Sequence, residues 1–327
     1  MSKAAYLKEI LSAFPELSRE TGVSSVRLMF SFLRSFLIGR IELEEFRAFQ
    51  LYNLSGCGHS QYLFRRKRNK ISDILTAAAT QEDLDIFLDK HLFNASFKEY
   101  IQRDWVSLAD STPDDIRAFL ARNTDFLVKA CKSTRGQNIY KYNAADISPD
   151  AFLREYQGKD YIAESFIRQH PALSAVNPTS VNTLRIVTAA KNGRVHIVGC
   201  GLRCGGSNEF VDNFHHGGAA YPVDLESGIV SGPGINSTGK RILRHPTTGH
   251  IMPGFQIPHW NELLKLVESA ANHNPRVGYV GWDIAITEDG IDFIEGNINY
   301  PGNTVIQLDG PGAYTRLKQF LKAPSHD

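Results

Sequence analysis

Along the first 88 residues apolar positions recur at three- and four-residue spacing, in "VSSVRLMFSFLRSFL" and again in "ISDILTAAATQEDLDIFL", which predicts amphipathic helices. Gly56 and Gly58 break the pattern between them. From about residue 90 the character changes. "DFLVKACKSTRGQNIYKYN" (125–143) reads as strand, polar glycine-containing loop, strand, and "KDYIAESFI" (159–167) as a further strand. Pro171 and Pro178 punctuate a linker. In "NTLRIVTAAKNGRVHIVGCGLRCGG" (182–206) two β-rich runs meet at Asn192-Gly193, a dipeptide suited to a tight hairpin turn. Residues 210–258 are rich in Gly, Pro and His, with a short strand and turn in "YPVDLESGIV". "WNELLKLVESAANHN" (260–274) sets Leu263, Leu264, Val267 and Ala270 on one side of a helix. Two more strands, "VGYVGWDIAIT" and "IDFIEGNIN", precede a closing short helix in "PGAYTRLKQFLKA". Helices, then a small β unit, then a larger mixed unit predict an α+β fold divided at 1–88, 89–170 and 171–327.

Composition narrows the function classes. The 327 residues are 42% hydrophobic, enough for one large or two to three small domains. A net charge of +1 gives no global bias toward nucleic acid or an acidic partner. No apolar run reaches the ~18 residues of a transmembrane helix. The N-terminus lacks the apolar region and cleavage site of a signal peptide. With Cys57, Cys131, Cys200 and Cys204 few and scattered, the expected location is the cytoplasm, with free thiols. Cys200 and Cys204 lie near His215 and His216, but C-x3-C with adjacent histidines does not match the usual zinc spacing. "RRKRNK" (65–70) reads as a solvated helix face, more sharply as a patch for an anionic carrier or a membrane surface, and last as a nucleic-acid contact. No glycine fingerprint of a Rossmann or P-loop nucleotide site occurs.

Two constellations carry chemistry. The loop "EDG" (288–290) suits a type I turn closed by a left-handed Gly290, pairing Thr287 with Ile291 and, by counting back, Asp283 with Glu295. Side chains alternate, so Glu295 and Asn297 share a face and converge on Asp283, with Gly296 thinning the other face. Adjacent carboxylates repel unless something neutralises them, and a hard divalent cation does so through oxygen ligands. A solvent-facing strand with ordinary polar residues is the alternative. The second constellation begins at Lys129, inside the apolar "FLVKA", where a buried ammonium needs an anion. Ser133, Thr134, Arg135 and Gly136 follow, able to form an anion nest, or simply an ordinary hairpin loop beside a snorkelling lysine.

Lysine on a strand, a Gly-containing loop, a strand ending in Glu, and a C-terminal D…E-x-N…P-G hairpin together resemble the ATP-grasp superfamily from about Asp89 to Gly302. "SVNTLRIVTA", "VDNFHHGG", "GFQIPHW" and "VGWDIAIT" resemble its sugar-transfer-associated branch; "NFHHGGAA" and "EGNINYPG" are also similar to its peptide and amino-acid ligases. The resemblance implies two α+β subdomains gripping ATP, beside an N-terminal helical region. The small one (89–170) carries the lysine and phosphate loop, the large one (171–327) the metal-binding hairpin. Lys90 would reach the α-phosphate region and Lys129 the α- and β-phosphates. Ser133, Thr134, Arg135, Gly136 and Gln137 would fold over the β- and γ-phosphates. Glu164, Ser165, Phe166 and Ile167 would form the hinge against adenine. Asp283, Glu295 and Asn297 would hold one or two Mg²⁺ ions. Arg203 and Arg185 would serve catalysis near the γ-phosphate, with Asn213 and His216 toward the acceptor. His216 stands where the ligases often carry arginine, and no ribose-binding acid follows Glu164 at the usual distance.

The implied activity is an ADP-forming carboxylate–amine ligase working through an acylphosphate. Its partners are small-molecule carboxylates and amines, with a sugar, glycan-precursor or amino-acid-like substrate suggested only by the family's name. A phosphotransferase acting on a small hydroxylated acceptor and a non-catalytic nucleotide-binding module are the rival readings. Residues 1–88 lie outside the resemblance, and self-association is not decided by the sequence.

Overall fold

The structure, a computed structural model, describes residues 3–53, 58–133, 138–206 and 217–323. It begins with helices α1 (Lys3–Thr21), α2 (Ser25–Gly39), α3 (Leu43–Ala48), α4 (Arg65–Leu75) and α5 (Gln81–Leu88). The apolar spacing that reads as one helical stretch over 71–88 breaks because Thr80 opens α5. Its hydroxyl accepts from the Asp83 amide while the Asp83 carboxylate takes the Thr80 amide. Next come α6 (Lys90–Ser96), β1 (Trp105–Ser107), α7 (Pro113–Arg122), β2 (Asp125–Ala130), β3 (Ile139–Asn143), α8 (Pro149–Tyr156) and β4 (Tyr161–Ser165). These strands form a four-stranded antiparallel sheet in the order β1-β4-β2-β3, with α7 and α8 packed on it through Phe119, Phe126 and Phe152.

The segment read as a proline-punctuated linker contains a short helix, α9 (Pro171–Val176), with Pro171 at its first position, where no amide partner is needed. It leads into β5 (Thr183–Lys191), β6 (Arg194–Cys204), β7 (Ala219–Val223), β8 (Gly234–Asn236), β9 (Arg241–Ile242), α10 (Trp260–His273), β10 (Tyr279–Ile286), β11 (Ile291–Asn297) and α11 (Ala313–Lys322). The seven strands make one antiparallel sheet in the order β11-β10-β5-β6-β7-β8-β9. Asn192 and Gly193 both take positive φ at the β5–β6 turn, as the hairpin reading requires.

The faces of this sheet are covered differently. Leu184, Ile186, Leu202, Trp282, Ile284 and Phe293 pack in one core with Leu263 and Val267 of α10. On the opposite face Val187, Ala189 and Tyr279 share a core with Phe14, Phe32 and Phe46 of the N-terminal helices and Leu317 of α11. The N-terminal helices α1 to α4 are thus built into the large sheet's own core. A stripe of glycines lets the chain after β11 lie on this face. A Cβ at Gly281 would sit 2.2 Å from the Pro301 carbonyl, and one at Gly199 would sit 2.5 Å from that of Ile306.

The β10–β11 hairpin differs from the register counted from its loop. Ile286, not Thr287, pairs with Ile291, so the pairing starts one residue out. A β-bulge between Asp283 and Ile284 then absorbs Ile294 and restores Asp283 opposite Glu295. Because strand faces alternate, Phe293 and Glu295 would share a face in an unbroken strand. The extra residue sends Phe293 into the aromatic core against Trp282 and turns Glu295 to the opposite face.

Candidate active site

Asp283 is the centre of the first cluster. It is buried, and Arg185 of the neighbouring strand grips it with Nε at 2.6 Å and Nη2 at 2.7 Å. Arg203 adds Nη1 at 3.1 and 3.2 Å from the two carboxylate oxygens. Burial alone would raise the Asp283 carboxyl, but the two guanidiniums outweigh it and hold its pKa below the usual value. Asn297 bridges the acids, its Nδ2 donating to Asp283 at 3.3 Å and to Glu295 at 3.1 Å. Arg185 also donates Nη1 to the Tyr300 carbonyl at 2.9 Å, and Gly302 (φ 93°) leaves room for its side chain, where a Cβ would stand 2.7 Å from Arg185 Cγ. All five sequence-derived hairpin and arginine positions therefore meet on one face. Part of the charge that two adjacent carboxylates require comes from arginine.

The second cluster belongs to the small sheet. Lys129 Nζ lies 2.5 Å from Glu164 Oε2, and both side chains are largely buried. Glu164, the first residue of the hinge that the resemblance implies, is thus also the lysine's counter-ion. Ser165, at the end of β4, accepts from the Asp104 amide at 3.1 Å, the Lys141 ammonium lies 5.0 Å from the Phe166 ring centre, and Ile167 is half-buried. Lys90, at the start of α6, donates to the Ser133 carbonyl at 2.7 Å, to Ser133 Oγ at 3.1 Å and to the Ala130 carbonyl at 3.2 Å. It thereby pins the point where β2 runs into the following loop. Burial lowers the Lys90 pKa, opposed by the negative charges of Glu295 and Glu164 and reinforced by Lys129. Glu295 of the first cluster thus lies within electrostatic reach of Lys90 in the second.

A third element, invisible in the sequence reading, joins the sheets. Arg103 Nη1 meets Asp292 of β11 at 2.6 Å and the Phe293 carbonyl at 2.8 Å, while Nη2 meets Glu164 of β4 at 3.0 Å and Asn94 Oδ1 at 3.2 Å. Asp292 also accepts the Arg103 and Gln102 amides, and Asn94 Nδ2 donates to Glu164 at 3.0 Å. Burial would lower the Arg103 pKa, but Glu164 and Asp292 raise it further above its normal range. Against a burial cost that would raise it, Arg103 and Lys129 hold the Glu164 carboxyl well below the usual carboxylate range. The Asp292 carboxyl is instead pushed up, by burial first.

Asp283, Glu295 and Asn297 present the hard oxygen donors that suit a divalent cation completing its shell from phosphates and water. No group of three or more His, Cys, Asp and Glu side chains able to hold a metal occurs among the described residues, so the hairpin is a partial shell and not a closed cage. Cys200 and Cys204 are buried in the sheet core. Thr134, Arg135, Gly136 and Gln137 of the loop, and Asn213 and His216, lie outside the described residues.

A family described as sugar-transfer associated ATP-grasp matches residues 155–322. No curated protein matches the chain. Among solved structures it is similar to D-alanyl-alanine synthetase A from Vibrio cholerae O1 biovar eltor str. N16961, at 13% identity over 74% of this chain and 62% of that one, with a TM-score of 0.42. It is also similar to the ATP-grasp ligase PsnB complexed with minimal precursor (14%, 79% of this chain, 71% of that one, TM-score 0.45). A third is the L-amino acid ligase from Bacillus licheniformis (13%, 74% of this chain, 49% of that one, TM-score 0.40). The chain spans less than two thirds of the length of the first and third of these.

Proposed function

The chain belongs to the sugar-transfer-associated ATP-grasp family and has its α+β fold, and on that premise we propose that it is an ATP-dependent carboxylate–amine ligase. The observation that carries the reading is the gathering of Asp283, Glu295, Asn297, Arg185 and Arg203 on one face of the large sheet, with Glu295 in electrostatic reach of Lys90, which also feels Lys129 and Glu164. Such concentrated, partly buried charge suits a polyphosphate and its metal better than a structural core, where isolated buried ions are costly.

In this reading Lys129 leaves Glu164, or shares it, to hold the α- and β-phosphates, and Lys90 steadies the root of the loop 133–137 that covers the β- and γ-phosphates. The segment 164–167 borders adenine. Asp283, Glu295 and Asn297 would hold Mg²⁺, which would supply positive charge against the phosphates. Arg185 and Arg203 turn toward the transferring phosphoryl group. A substrate carboxylate oxygen attacks the γ-phosphorus, the bond to the bridging oxygen breaks, and ADP leaves. The amine then attacks the acyl carbon, gives up a proton, and expels phosphate. Positioning and electrostatics suffice for both steps, and the protein needs no nucleophile of its own.

The test is ADP release across a panel of carboxylates crossed with amines, followed by mass spectrometry of the products. The ligase reading expects ADP and phosphate only when both substrates are present, with an amide product. Stable transfer of phosphate to a hydroxyl compound would identify a kinase, and nucleotide binding without turnover on any pair would identify a binding module.

A further inference from the structure

Helix α2 is apolar on both sides. Leu28, Phe32, Ser35 and Gly39 face the core, while Val26, Phe30, Leu33 and Leu37, at the same helical spacing, are 60%, 66%, 48% and 78% exposed. Arg27 and Arg34 are also exposed on α2, but a contiguous apolar stripe of this kind is normally covered by protein or lipid, and here it is covered by nothing among the described residues.

At the C-terminal end of α2 lies a cavity of about 630 Å³, lined by Ile38 and, from α4 and α11, by Arg66, Lys67, Tyr314, Lys318 and Lys322. Ile38 is itself half exposed, so the apolar stripe and the basic cavity are continuous. No Asp or Glu is among the described residues lining it, and none of the four cations is paired with a carboxylate among those residues. Lys67 is held by the Ser60 and Tyr62 carbonyls, at 2.5 and 3.0 Å, and lies over the rings of Tyr314 at 4.2 Å and Phe64 at 5.9 Å, with no carboxylate among these partners. Burial and the like charge of Lys318 both lower its pKa. The arrangement calls for anions from outside.

We propose that α2 and this cavity form a membrane-docking face, with Val26, Phe30, Leu33 and Leu37 seated at the acyl boundary and Arg66, Lys67, Lys318 and Lys322 holding anionic lipid headgroups. An apolar helix face bordered by cations is what an interfacial membrane element requires. No single helix among the described residues is long and apolar enough to cross a membrane, and α1 turns Phe14 and Leu17 into the core, so α2 is the segment left to meet an interface. A second copy of the chain fits less well, because a symmetric contact through this face would bring the two basic cavities together.

The test is co-sedimentation of the full chain with vesicles of phosphatidylcholine alone and of phosphatidylcholine mixed with phosphatidylglycerol. Binding is expected only to the anionic vesicles, weakening as salt is raised. The double variants Phe30→Glu with Leu37→Glu, and Arg66→Glu with Lys318→Glu, are each expected to reduce it about tenfold or more. Circular dichroism and nucleotide binding should stay as in the parent chain, so the outcome is independent of the ligase reading. Equal binding to both vesicle types, no binding to either, or a dimer that Phe30→Glu with Leu37→Glu dissociates without changing vesicle binding would overturn the proposal.

Discussion

Replacing Glu295 with glutamine is expected to lower Mg²⁺-dependent ADP production by about 100-fold or more while leaving unfolding nearly unchanged. Glu295 is half-buried and accepts from Asn297 Nδ2, a contact that a glutamine oxygen preserves, so the substitution removes charge and little else. Asp283→Asn should lose turnover to a similar degree but also weaken the fold. Its carboxylate offsets the guanidiniums of Arg185 and Arg203, and neutralising it leaves like charges facing one another. Steady-state turnover with the active substrate pair, read beside equilibrium unfolding in denaturant, separates the two effects. Turnover that survives both substitutions means that the hairpin is not the metal site.

Arg103→Met should be the most destabilising change in the cleft, by about 3–5 kcal/mol, because it strands Asp292 and half of the Glu164 carboxylate in the interior. The two acids should respond unequally when each is made an amide. Asp292, whose carboxyl burial already pushes toward the neutral form, should tolerate Asp292→Asn better than Glu164, held strongly ionised, tolerates Glu164→Gln. Urea unfolding midpoints of the three variants check the ranking. Because Arg103 connects β4 to β11, its loss should also blunt nucleotide binding by loosening Glu164 behind Lys129.

What the sequence made legible followed rules that act locally. Asn192-Gly193 announced its turn through backbone conformation, and the alternation in "GWDIAIT" and "IDFIEGN" put Asp283, Glu295 and Asn297 together. That convergence was reached through a register one residue off at the loop, because nothing in local spacing signals that Ile294 bulges out. The bulge follows from packing Phe293 against Trp282, a tertiary requirement. Helices α7 and α8 carry readable start signals in the sequence. "TPDD" is a capping box with proline at the first position, and "SPD" opens α8 with a proline at its first position but without a capping hydrogen bond. Arg103 could not be picked out by such rules. In "YIQRDWV" it looks like a surface residue, and its partners lie 61 and 189 positions away in the chain. Only the docking of two sheets makes it buried and paired.

The most direct measurement of the central claim follows an oxygen atom. With the substrate pair that releases ADP, the carboxylate is supplied with heavy oxygen and the products are analysed by mass spectrometry. Activation through an acylphosphate predicts one labelled oxygen in the released inorganic phosphate and the other in the amide. Label retained wholly in the organic product, with the phosphoryl group on a hydroxyl, or label carried into AMP, would contradict the account.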